Sequence, residues 1–285
     1  MAIRALQTQA QSQLADVLGL PVDEARIEAQ ILLRHALGDV SRAWLMARTE
    51  QALTTEQLAR FDGLLQRRLQ GEPVAYIIGR REFFGLDYGL TADVLIPRPD
   101  TETLVEAALQ RIPASQSCRV LDLGTGSGAI AIAIAVHRPL ANVTAVDRSE
   151  AVLEVARGNA ESLSASNVRL LRSDWFSALE GEVFDVIVSN PPYIAATDPH
   201  LSQGDLRFEP SSALVSGEDG LDDIRAIVAQ VPAHMASGGW LLLEHGYDQA
   251  VQVAGLLEGA GFEDVGHAAD LAGIARVTLG RKVKR

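Results

Sequence analysis

The sequence predicts an α/β protein in which a small helical bundle precedes an open, mostly parallel sheet. Up to about residue 80, apolar residues recur at helical spacing, as in DEARIEAQILLRHAL. Further along, short apolar runs alternate with helical patterns, which is typical of βα units and therefore of a parallel sheet. We expect an N-terminal helical domain over residues 1–80, a hairpin linker over 81–97 and an α/β domain over 98–285.

Composition limits the classes of protein to which the chain can belong. Of its 285 residues 47% are hydrophobic, which suffices for a packed core, yet no apolar run reaches the roughly 20 residues of a membrane span. The N-terminal stretch has the pattern of an amphipathic helix and lacks the apolar core of a signal peptide. The single Cys118 excludes an internal disulfide and a cysteine-based zinc cluster. These features predict a cytoplasmic protein that works without a metal.

Negative charge is concentrated in the second part of the chain. The net charge is -12; residues 1–80 carry nine basic and nine acidic side chains, whereas residues 81–285 carry sixteen and twenty-eight. Binding to duplex nucleic acid relies on Lys and Arg side chains that neutralise phosphates. An acidic domain starts with an unfavourable field for such a partner, so we expect no stable nucleic-acid binding.

Two helix starts can be predicted in the N-terminal domain. Asp23 is a plausible N-cap for the helix DEARIEAQILLRHAL. Thr54 and Gln57 have the spacing of a capping box at the start of TTEQLARFDGLLQRRLQ. The short interruptions between the helices fit a small bundle, and no residue pattern in this domain points to chemistry.

The linker is predicted from a change in the spacing of apolar residues, from the helical period to alternation along the chain. Alternating residues interrupted by Gly79, Gly85 and Gly89 indicate a hairpin. The stretch IPRP follows, and Asp100 or Thr101 can cap the helix TETLVEAALQRI.

The α/β domain reads as five βα units closed by a hairpin. Strands are expected at CRVLDLG, NVTAVD, VRLLR, FDVIVS and GGWLLLEHG, helices around 127–137, 149–163, 220–235 and 247–260, and two final strands in GFEDVGHAADLAGIARVTLG. A dinucleotide-binding domain would instead consist of two similar halves. The pattern suits the Rossmann-like, seven-stranded fold of class I S-adenosylmethionine-dependent methyltransferases, with strand order 3-2-1-4-5-7-6 in that domain's own numbering.

A glycine loop follows the first strand of this sheet, in VLDLGTGSGAIAIAIA. Glycines at 124, 126 and 128 let the backbone turn tightly and approach a ligand, and Thr125 and Ser127 lie between them. The loop also fits the G-x-G-x-x-G/A pattern of NAD-binding proteins. Asp147 ends the second strand, where a carboxylate would hold ribose hydroxyls of either cofactor.

Three further residues favour S-adenosylmethionine over NAD. Asp122, just before the loop, is expected to face the cleft, where it would repel a pyrophosphate but attract the ammonium group of S-adenosylmethionine. After the third strand, Asp174 can accept from an adenine amino group, and Trp175 offers an aromatic face beside the ring.

The fourth strand ends in SNPPYI, which is expected beside the glycine loop because the first and fourth strands are neighbours. An amide nitrogen is a poor nucleophile, so a catalyst must orient it and stabilise its developing charge. The Asn190 side-chain oxygen and the Pro191 carbonyl can each accept one hydrogen of a planar NH2 group. Pro192 stiffens the turn and Tyr193 can pack on the planar group.

The chain resembles the peptide chain release factor glutamine N5-methyltransferases of the HemK/PrmC type over essentially its whole length. The motifs that carry the resemblance are VLIPRPDTE, DLGTGSG, AVDRS, SDWF, SNPPYI and RFEPSSALVSGEDGL. The resemblance implies S-adenosylmethionine as methyl donor and the glutamine of the Gly-Gly-Gln motif of class I release factors as acceptor. It implies a glutamine pocket at residues 190–193. Arg98 and Glu102 match the family's linker motif, and we assign them only a positioning role.

Other functions remain open at this point. The NPPY motif also occurs in adenine-directed DNA or RNA N-methyltransferases, which is the main alternative. A cofactor-binding protein without chemistry and an NAD oxidoreductase are further alternatives, although the SNPPYI stretch and Asp122, respectively, speak against them. We expect a monomer, because no obvious interface helix stands out. The scattered histidines are expected on the surface or as hydrogen-bonded core residues.

Overall fold

The computed structural model describes residues 1–283 and divides the chain into two compact units. The first unit contains Met1–Arg80 and also a short later segment, His200–Phe208. The second contains Arg81–Pro199 and the residues from Glu209 onward. Lys284 and Arg285 lie outside the described residues.

The first unit is a bundle of five helices. They are α1 (Ile3–Leu18), α2 (Val22–Ala36), α3 (Arg42–Met46), α4 (Thr55–Leu69) and α5 (Val74–Ile78). Their apolar faces form one core in which Ile3, Leu14, Leu32 and Phe61 are almost fully buried. The amphipathic spacing of the sequence therefore produces a common interior, as in other small bundles.

The two helix starts predicted for this unit differ in outcome. The capping box of α4 is confirmed, with the Thr54 hydroxyl accepting from the Gln57 N–H and the Gln57 side chain accepting from the Thr54 N–H. The prediction for Asp23 is wrong, because α2 begins after Pro21 and places Asp23 in its first turn. A proline fixes φ near the helical value and readily starts a helix. Asp23 pairs with Arg26 instead, at 2.9 Å.

The segment His200–Phe208 is tied to the helices by Arg68. This guanidinium, whose side chain is 5% exposed, pairs with Glu28 at 2.8 Å and with Asp205 at 3.1 Å. Gly71 packs so closely on the segment that a Cβ there would lie 2.2 Å from Arg207 Nη2. Burial raises the pKa of Glu28 despite the nearby Arg68. The positive charge of Arg68 therefore compensates the cost of burying the ionised Glu28 carboxylate.

The second unit begins with the predicted hairpin. Its strands are β1 (Arg80–Phe83) and β2 (Leu86–Gly89), followed by a 3₁₀ turn over Pro99–Thr101 and by α6 (Glu102–Leu109). Neither Asp100 nor Thr101 caps α6 with its side chain. That prediction is wrong because the Thr101 hydroxyl bonds to partners distant in sequence.

The remaining elements form a seven-stranded sheet with helices on both faces. They are β3 (Cys118–Leu123), α7 (Ala129–His137), β4 (Ala141–Asp147), α8 (Glu150–Ser162), β5 (Val168–Arg172), β6 (Phe184–Ser189), α9 (Asp222–His234), β7 (Met235–Glu244), α10 (Ala250–Gly259), β8 (Phe262–Ala269) and β9 (Ala275–Lys282). The strand order is β5-β4-β3-β6-β7-β9-β8. This order is 3-2-1-4-5-7-6 within the domain, so the predicted topology is confirmed.

Two hydrophobic layers cover the faces of the sheet and fix its strand ends. One layer contains α7, which is buried from Ala129 to Ala135, and the other contains α9 and α10. β3 pairs in parallel with β6 as far as Leu123 opposite Ser189. The Ser189 hydroxyl donates to the Leu123 carbonyl at 2.7 Å. The loops after these two strands therefore start side by side.

None of the helices within residues 1–283 combines the length and the apolar composition required to cross a bilayer.

Replacing Arg68 by methionine should destabilise the first unit. The variant leaves the half-buried Glu28 without its counterion, and we expect a loss of roughly 3 kcal/mol in the free energy of unfolding. Arg67→Met is the matched control, because Arg67 pairs with Glu72 closer to the surface and its loss should cost less than about 1 kcal/mol. Urea unfolding of both variants measures the difference. Equal losses of unfolding free energy in the two variants would show that the buried ion pair stabilises the unit no more than the exposed one.

Candidate active site

One cavity of about 370 Å³ lies in the second unit, beside the ends of β3, β4 and β6. Among the residues predicted for the site, Gly124, Thr125, Gly126, Ser127, Asp147, Asp174, Trp175, Asn190 and Pro192 line it. Residues that were not predicted include Leu95, Thr101, Arg148, Ser212, Ala213 and Asp223. A cavity of this kind at the carboxyl ends of the strands is where an open α/β sheet binds its ligand.

The glycine loop has two separate tasks. Gly124 and Gly126 face the cavity, so their backbone is available to a ligand. Gly128 is buried and adopts a left-handed conformation with φ 82°. A Cβ at Gly128 would lie 2.8 Å from Ile132 and 3.3 Å from Ala156. Gly128 therefore permits close packing of α7 against α8 and does not itself line the cavity.

Asp147 joins the end of β4 to the glycine loop. Its Oδ2 accepts from the Gly126 N–H at 3.2 Å, and its Oδ1 accepts from the Ser149 N–H at 3.0 Å. These bonds hold the carboxylate at the edge of the cavity, where its remaining lone pairs suit the hydroxyls of a ribose.

Trp175 and Asp174 lie at the end of β5. Trp175 adopts a left-handed backbone with φ 46°, which is uncommon for a bulky residue. Its ring is placed against the loop, about 3.5 Å from where a Cβ of Gly124 would stand. The exposed Asp174 follows the same strand, and Ser177 accepts from its N–H at 3.1 Å. An aromatic face beside an acceptor is a combination that suits an adenine.

Asp122 does not face the cavity, which corrects the expectation from the sequence. It is fully buried beneath the loop, and its Oδ2 accepts from the Thr125 hydroxyl at 2.6 Å. Within residues 1–283, its Oδ1 has no hydrogen-bond partner. Burial, with a smaller effect from Asp147, raises the pKa of Asp122 to about 7.

Asn190 lines the cavity at the end of β6, next to the strand that leads into the glycine loop. It is half-buried, and its Nδ2 donates to the Thr101 hydroxyl at 3.2 Å. Pro192 also lines the cavity, whereas Pro191 is buried and Tyr193 is not among the lining residues. The placement supports a role for Asn190 at the cavity and leaves the proposed contacts of Pro191 and Tyr193 as predictions.

The turn around Tyr193 is held by its backbone. The Tyr193 carbonyl accepts from Gln249 Nε2 at 3.0 Å. Gly220, with φ 77°, passes so close that a Cβ there would lie 2.3 Å from this carbonyl. Ile194 then pairs with Val215 as an isolated bridge. Contacts with Gln249, Gly220 and Val215 therefore hold the backbone that follows Asn190.

The Tyr193 ring borders a buried polar cluster. Burial and the nearby Glu244 raise the pKa of the Tyr193 phenol. Glu244, at the end of β7, is 1% exposed. Burial is also the main reason that the pKa of Glu244 rises to about 7, with Asp100 adding to the effect and Arg276 opposing it.

Arg98 and Glu102, on either side of the 3₁₀ turn, have structural partners. Arg98 forms an ion pair with Glu209, whose side chain is fully buried and also accepts from the Ile96 N–H at 3.3 Å. Glu102 accepts from the Phe84 N–H of the hairpin at 3.0 Å. Both residues thus connect the start of α6 to the linker and to Glu209.

The histidines form no catalytic group. His245 is fully buried and hydrogen-bonded to the Gly246 carbonyl and the Thr278 hydroxyl, each at 2.8 Å, as expected for a core histidine. In the part of the chain that the structure describes, no three His, Cys, Asp or Glu side chains are grouped as a metal site.

Comparison with known proteins identifies the family. Residues 5–79 match the model of the PrmC N-terminal domain, and residues 100–206 match the methyltransferase small domain. The release factor glutamine methyltransferase of Xylella fastidiosa is 53% identical over 256 residues, which are 90% of this chain and 93% of that protein. The chain belongs to the release factor glutamine methyltransferase family. The resemblance seen in the sequence is thereby confirmed.

Further comparisons agree with this family. The release factor glutamine methyltransferase of Burkholderia pseudomallei is 55% identical over 261 residues, covering 90% of this chain and 91% of that protein. Among solved structures, a T. thermophilus 16S rRNA methyltransferase in complex with AdoMet and guanosine superposes with a TM-score of 0.52 at 24% identity. That match covers 71% of this chain and 49% of the other, and it shows that the family member described here has a methyltransferase fold.

Substitution of Asp122 by asparagine should change how stability depends on pH. The folded-state pKa lies above the ordinary value, so Asp122 favours folding at low pH and this contribution is lost as pH rises to about 7. Between pH 5.5 and 7.5 the wild type should lose roughly 2 kcal/mol of unfolding free energy relative to Asp122→Asn. Denaturant unfolding at both pH values measures this difference. Parallel curves would contradict the assigned protonation.

Proposed function

We propose that the protein transfers a methyl group from S-adenosylmethionine to the side-chain amide nitrogen N5 of a release factor glutamine, in the Gly-Gly-Gln motif of class I factors. The observation that carries this proposal is the position of Asn190, which shares one cavity with Gly124 and Trp175. The names of the relatives support the same acceptor. Release factors act on translation termination, so we place the protein in the cytoplasm.

The residues around the cavity fit the methyl donor. Asp147 offers carboxylate oxygens to ribose hydroxyls, while Trp175 and Asp174 offer an aromatic face and an acceptor to adenine. The glycine loop can approach the ligand through its backbone. S-adenosylmethionine, when bound, supplies an electrophilic methyl group on a positively charged sulfur. The buried Asp122 lies below the loop, so its effect on an ammonium group would act through Thr125 or through the local field.

The acceptor is positioned by Asn190 and Pro191. The Asn190 side-chain oxygen accepts one N–H of the glutamine amide and the Pro191 carbonyl accepts the other, which aims the nitrogen at the methyl group. As the nitrogen bonds to carbon and the sulfur–carbon bond breaks, positive charge grows on the nitrogen. The two oxygens stabilise that charge, and the nitrogen then releases one proton to solvent. Pro192 limits the motion of both acceptors.

An adenine-directed N-methyltransferase would use a similar pocket. The charge distribution disfavours that substrate, because residues 81–285 carry the whole excess of twelve negative charges. Binding of a protein loop does not require a basic surface. A release factor is therefore more compatible with the negative charge of residues 81–285 than a nucleic acid is. We propose that the enzyme acts as a monomer and without a metal.

Asn190→Ala should abolish most of the methyl transfer. The variant loses one of two acceptors for the reacting amide, and we expect the turnover number to fall by at least about a hundredfold. Asn142→Ala is the control, because Asn142 is exposed at the start of β4 and bonds only to Ser117 among the described contacts. Mass spectrometry of the methylated glutamine gives the rate, and calorimetry gives the affinity for S-adenosylmethionine, which should change little. Near-normal turnover would refute the assigned mechanism.

We infer that the helical domain, residues 1–80, docks the body of the release factor. The domain has a complete core of its own and no residues with catalytic patterning. It nevertheless exposes large apolar side chains at Val17, Val22, Ile27 and Met46, between 54% and 65% accessible. Side chains of this kind are candidates for contact with a protein partner.

Acidic substitutions at two of these exposed positions test the docking role. Val22→Glu combined with Ile27→Glu should raise the KM for the intact release factor by about tenfold, equal to about 1.4 kcal/mol of binding. The KM for a short Gly-Gly-Gln peptide should not change, because the peptide lacks the body of the factor. Val251→Glu, at an 80% exposed position in α10, is the matched control. Equal KM values for the factor in all three proteins would exclude docking through these positions.

A further inference from the structure

We propose that Thr101 and Glu244 are positioning residues that hold the side-chain amide of Asn190 in the orientation required for methyl transfer. This inference rests on the proposed function, because it assigns the Asn190 oxygen to the reacting amide. It concerns two residues for which no role at the site was predicted from the sequence. Neither is a catalytic residue, since both act through Asn190.

Three side chains form a directional chain of hydrogen bonds. The Asn190 Nδ2–H donates to Thr101 Oγ1 at 3.2 Å. The Thr101 hydroxyl in turn donates to Glu244 Oε1, also at 3.2 Å. Thr101 is 4% exposed and Glu244 is 1% exposed. Because Thr101 and Glu244 are shielded from bulk water, solvent cannot readily substitute for them.

The direction of this chain determines which end of the Asn190 amide faces the substrate. A hydroxyl has one hydrogen to donate. Once Thr101 gives that hydrogen to Glu244, its oxygen can only accept, and the Asn190 NH2 group is the part of the amide that can satisfy it. The Asn190 oxygen is then turned away from Thr101. An inverted amide would present hydrogens to the hydrogens of the glutamine and repel the substrate.

The backbone of Thr101 leaves its hydroxyl available for this purpose. Thr101 ends the 3₁₀ turn Pro99–Thr101 and has helical dihedral angles, φ -66° and ψ -19°, where the turn runs into α6. A capping residue instead has extended backbone angles. No capping bond is formed, and the hydroxyl connects Asn190 to Glu244.

The buried carboxyl of Glu244 lowers the free energy of unfolding, so stability does not explain its presence. This carboxyl is completely buried, with the Tyr193 phenol as a further hydrogen-bonding neighbour, and within residues 1–283 no bond of standard geometry reaches its Oε2. The charged groups around it are Asp100 and Arg276, which oppose one another. An apolar side chain would fill this position at less cost to folding. A carboxyl is useful here because it supplies the terminal acceptor.

Paired substitutions test the positioning role by kinetics. Thr101→Val removes the hydroxyl at nearly constant volume and should lower kcat at least tenfold, since small misplacements of reacting groups cost on the order of a hundredfold. The KM values for S-adenosylmethionine and release factor should stay within about twofold. Thr101→Ser keeps the hydroxyl and should restore kcat to within about threefold of wild type. Glu244→Gln keeps an acceptor oxygen and should do the same, whereas Glu244→Ala should resemble Thr101→Val.

The double variant Thr101→Val, Glu244→Ala adds a further test. If both residues act through one chain, its kcat should equal that of Thr101→Val alone. Independent, multiplying losses would overturn the inference. So would a wild-type kcat in Thr101→Val, or equal losses in Thr101→Val and Thr101→Ser.

A spectroscopic measurement separates this inference from the proposed function. In protein labelled with ¹⁵N asparagine, the side-chain amide signal of Asn190, assigned by its loss in Asn190→Ala, should shift and exchange faster with solvent in Thr101→Val but not in Thr101→Ser. An unchanged signal would overturn the hydrogen-bond chain whether or not the enzyme methylates a release factor. If the wild type transfers no methyl group to the factor, the proposed function fails, and the signal still decides the role of Thr101.

Discussion

The parallel pairing of β3 with β6 is the constraint on which the site depends. It aligns Leu123 with Ser189, and the bond from the Ser189 hydroxyl to the Leu123 carbonyl fixes the strand ends against each other. The glycine loop and Asn190 therefore enter one cavity from neighbouring positions although they are far apart in sequence. A slip of one residue in this register would turn Asn190 to the other face of the sheet.

The segment around the 3₁₀ turn before α6 connects several parts of the second unit. Arg98 pairs with Glu209, and Thr101 bonds to both Asn190 and Glu244. These partners come from three separate stretches that meet only in the folded chain. Glu209 is buried, and Arg98 compensates its charge. The geometry of Asn190 is thus supported from behind the cavity wall.

Much of the fold could be predicted from the sequence because its signals are local. The seven strands and their order follow from apolar runs and from the alternation with helices, and the capping box at Thr54 follows from three-residue spacing. The glycine loop, Asp147 and Asn190 could be assigned to one cavity because strand order determines which loops are neighbours.

What could not be predicted depends on side-chain direction and on distant partners. The sequence placed Asp122 beside the loop but could not reveal that its carboxylate points inward to Thr125. It marked Thr101 as a capping residue, since nothing nearby discloses a bond to Glu244, 143 positions later. The expectation for Asp23 failed because Pro21 starts the helix earlier.

The segment His200–Phe208 makes the helical unit discontinuous in the chain. The PrmC N-terminal domain model ends at residue 79, yet Arg68 is completed by Asp205, which belongs to the stretch that follows the NPPY turn. A gene fusion that exchanged the first eighty codons would separate Arg68 from this carboxylate and leave Gly71 without its neighbour Arg207. The N-terminal domain therefore depends on this later segment of the chain for its own contacts, and the two must be exchanged together.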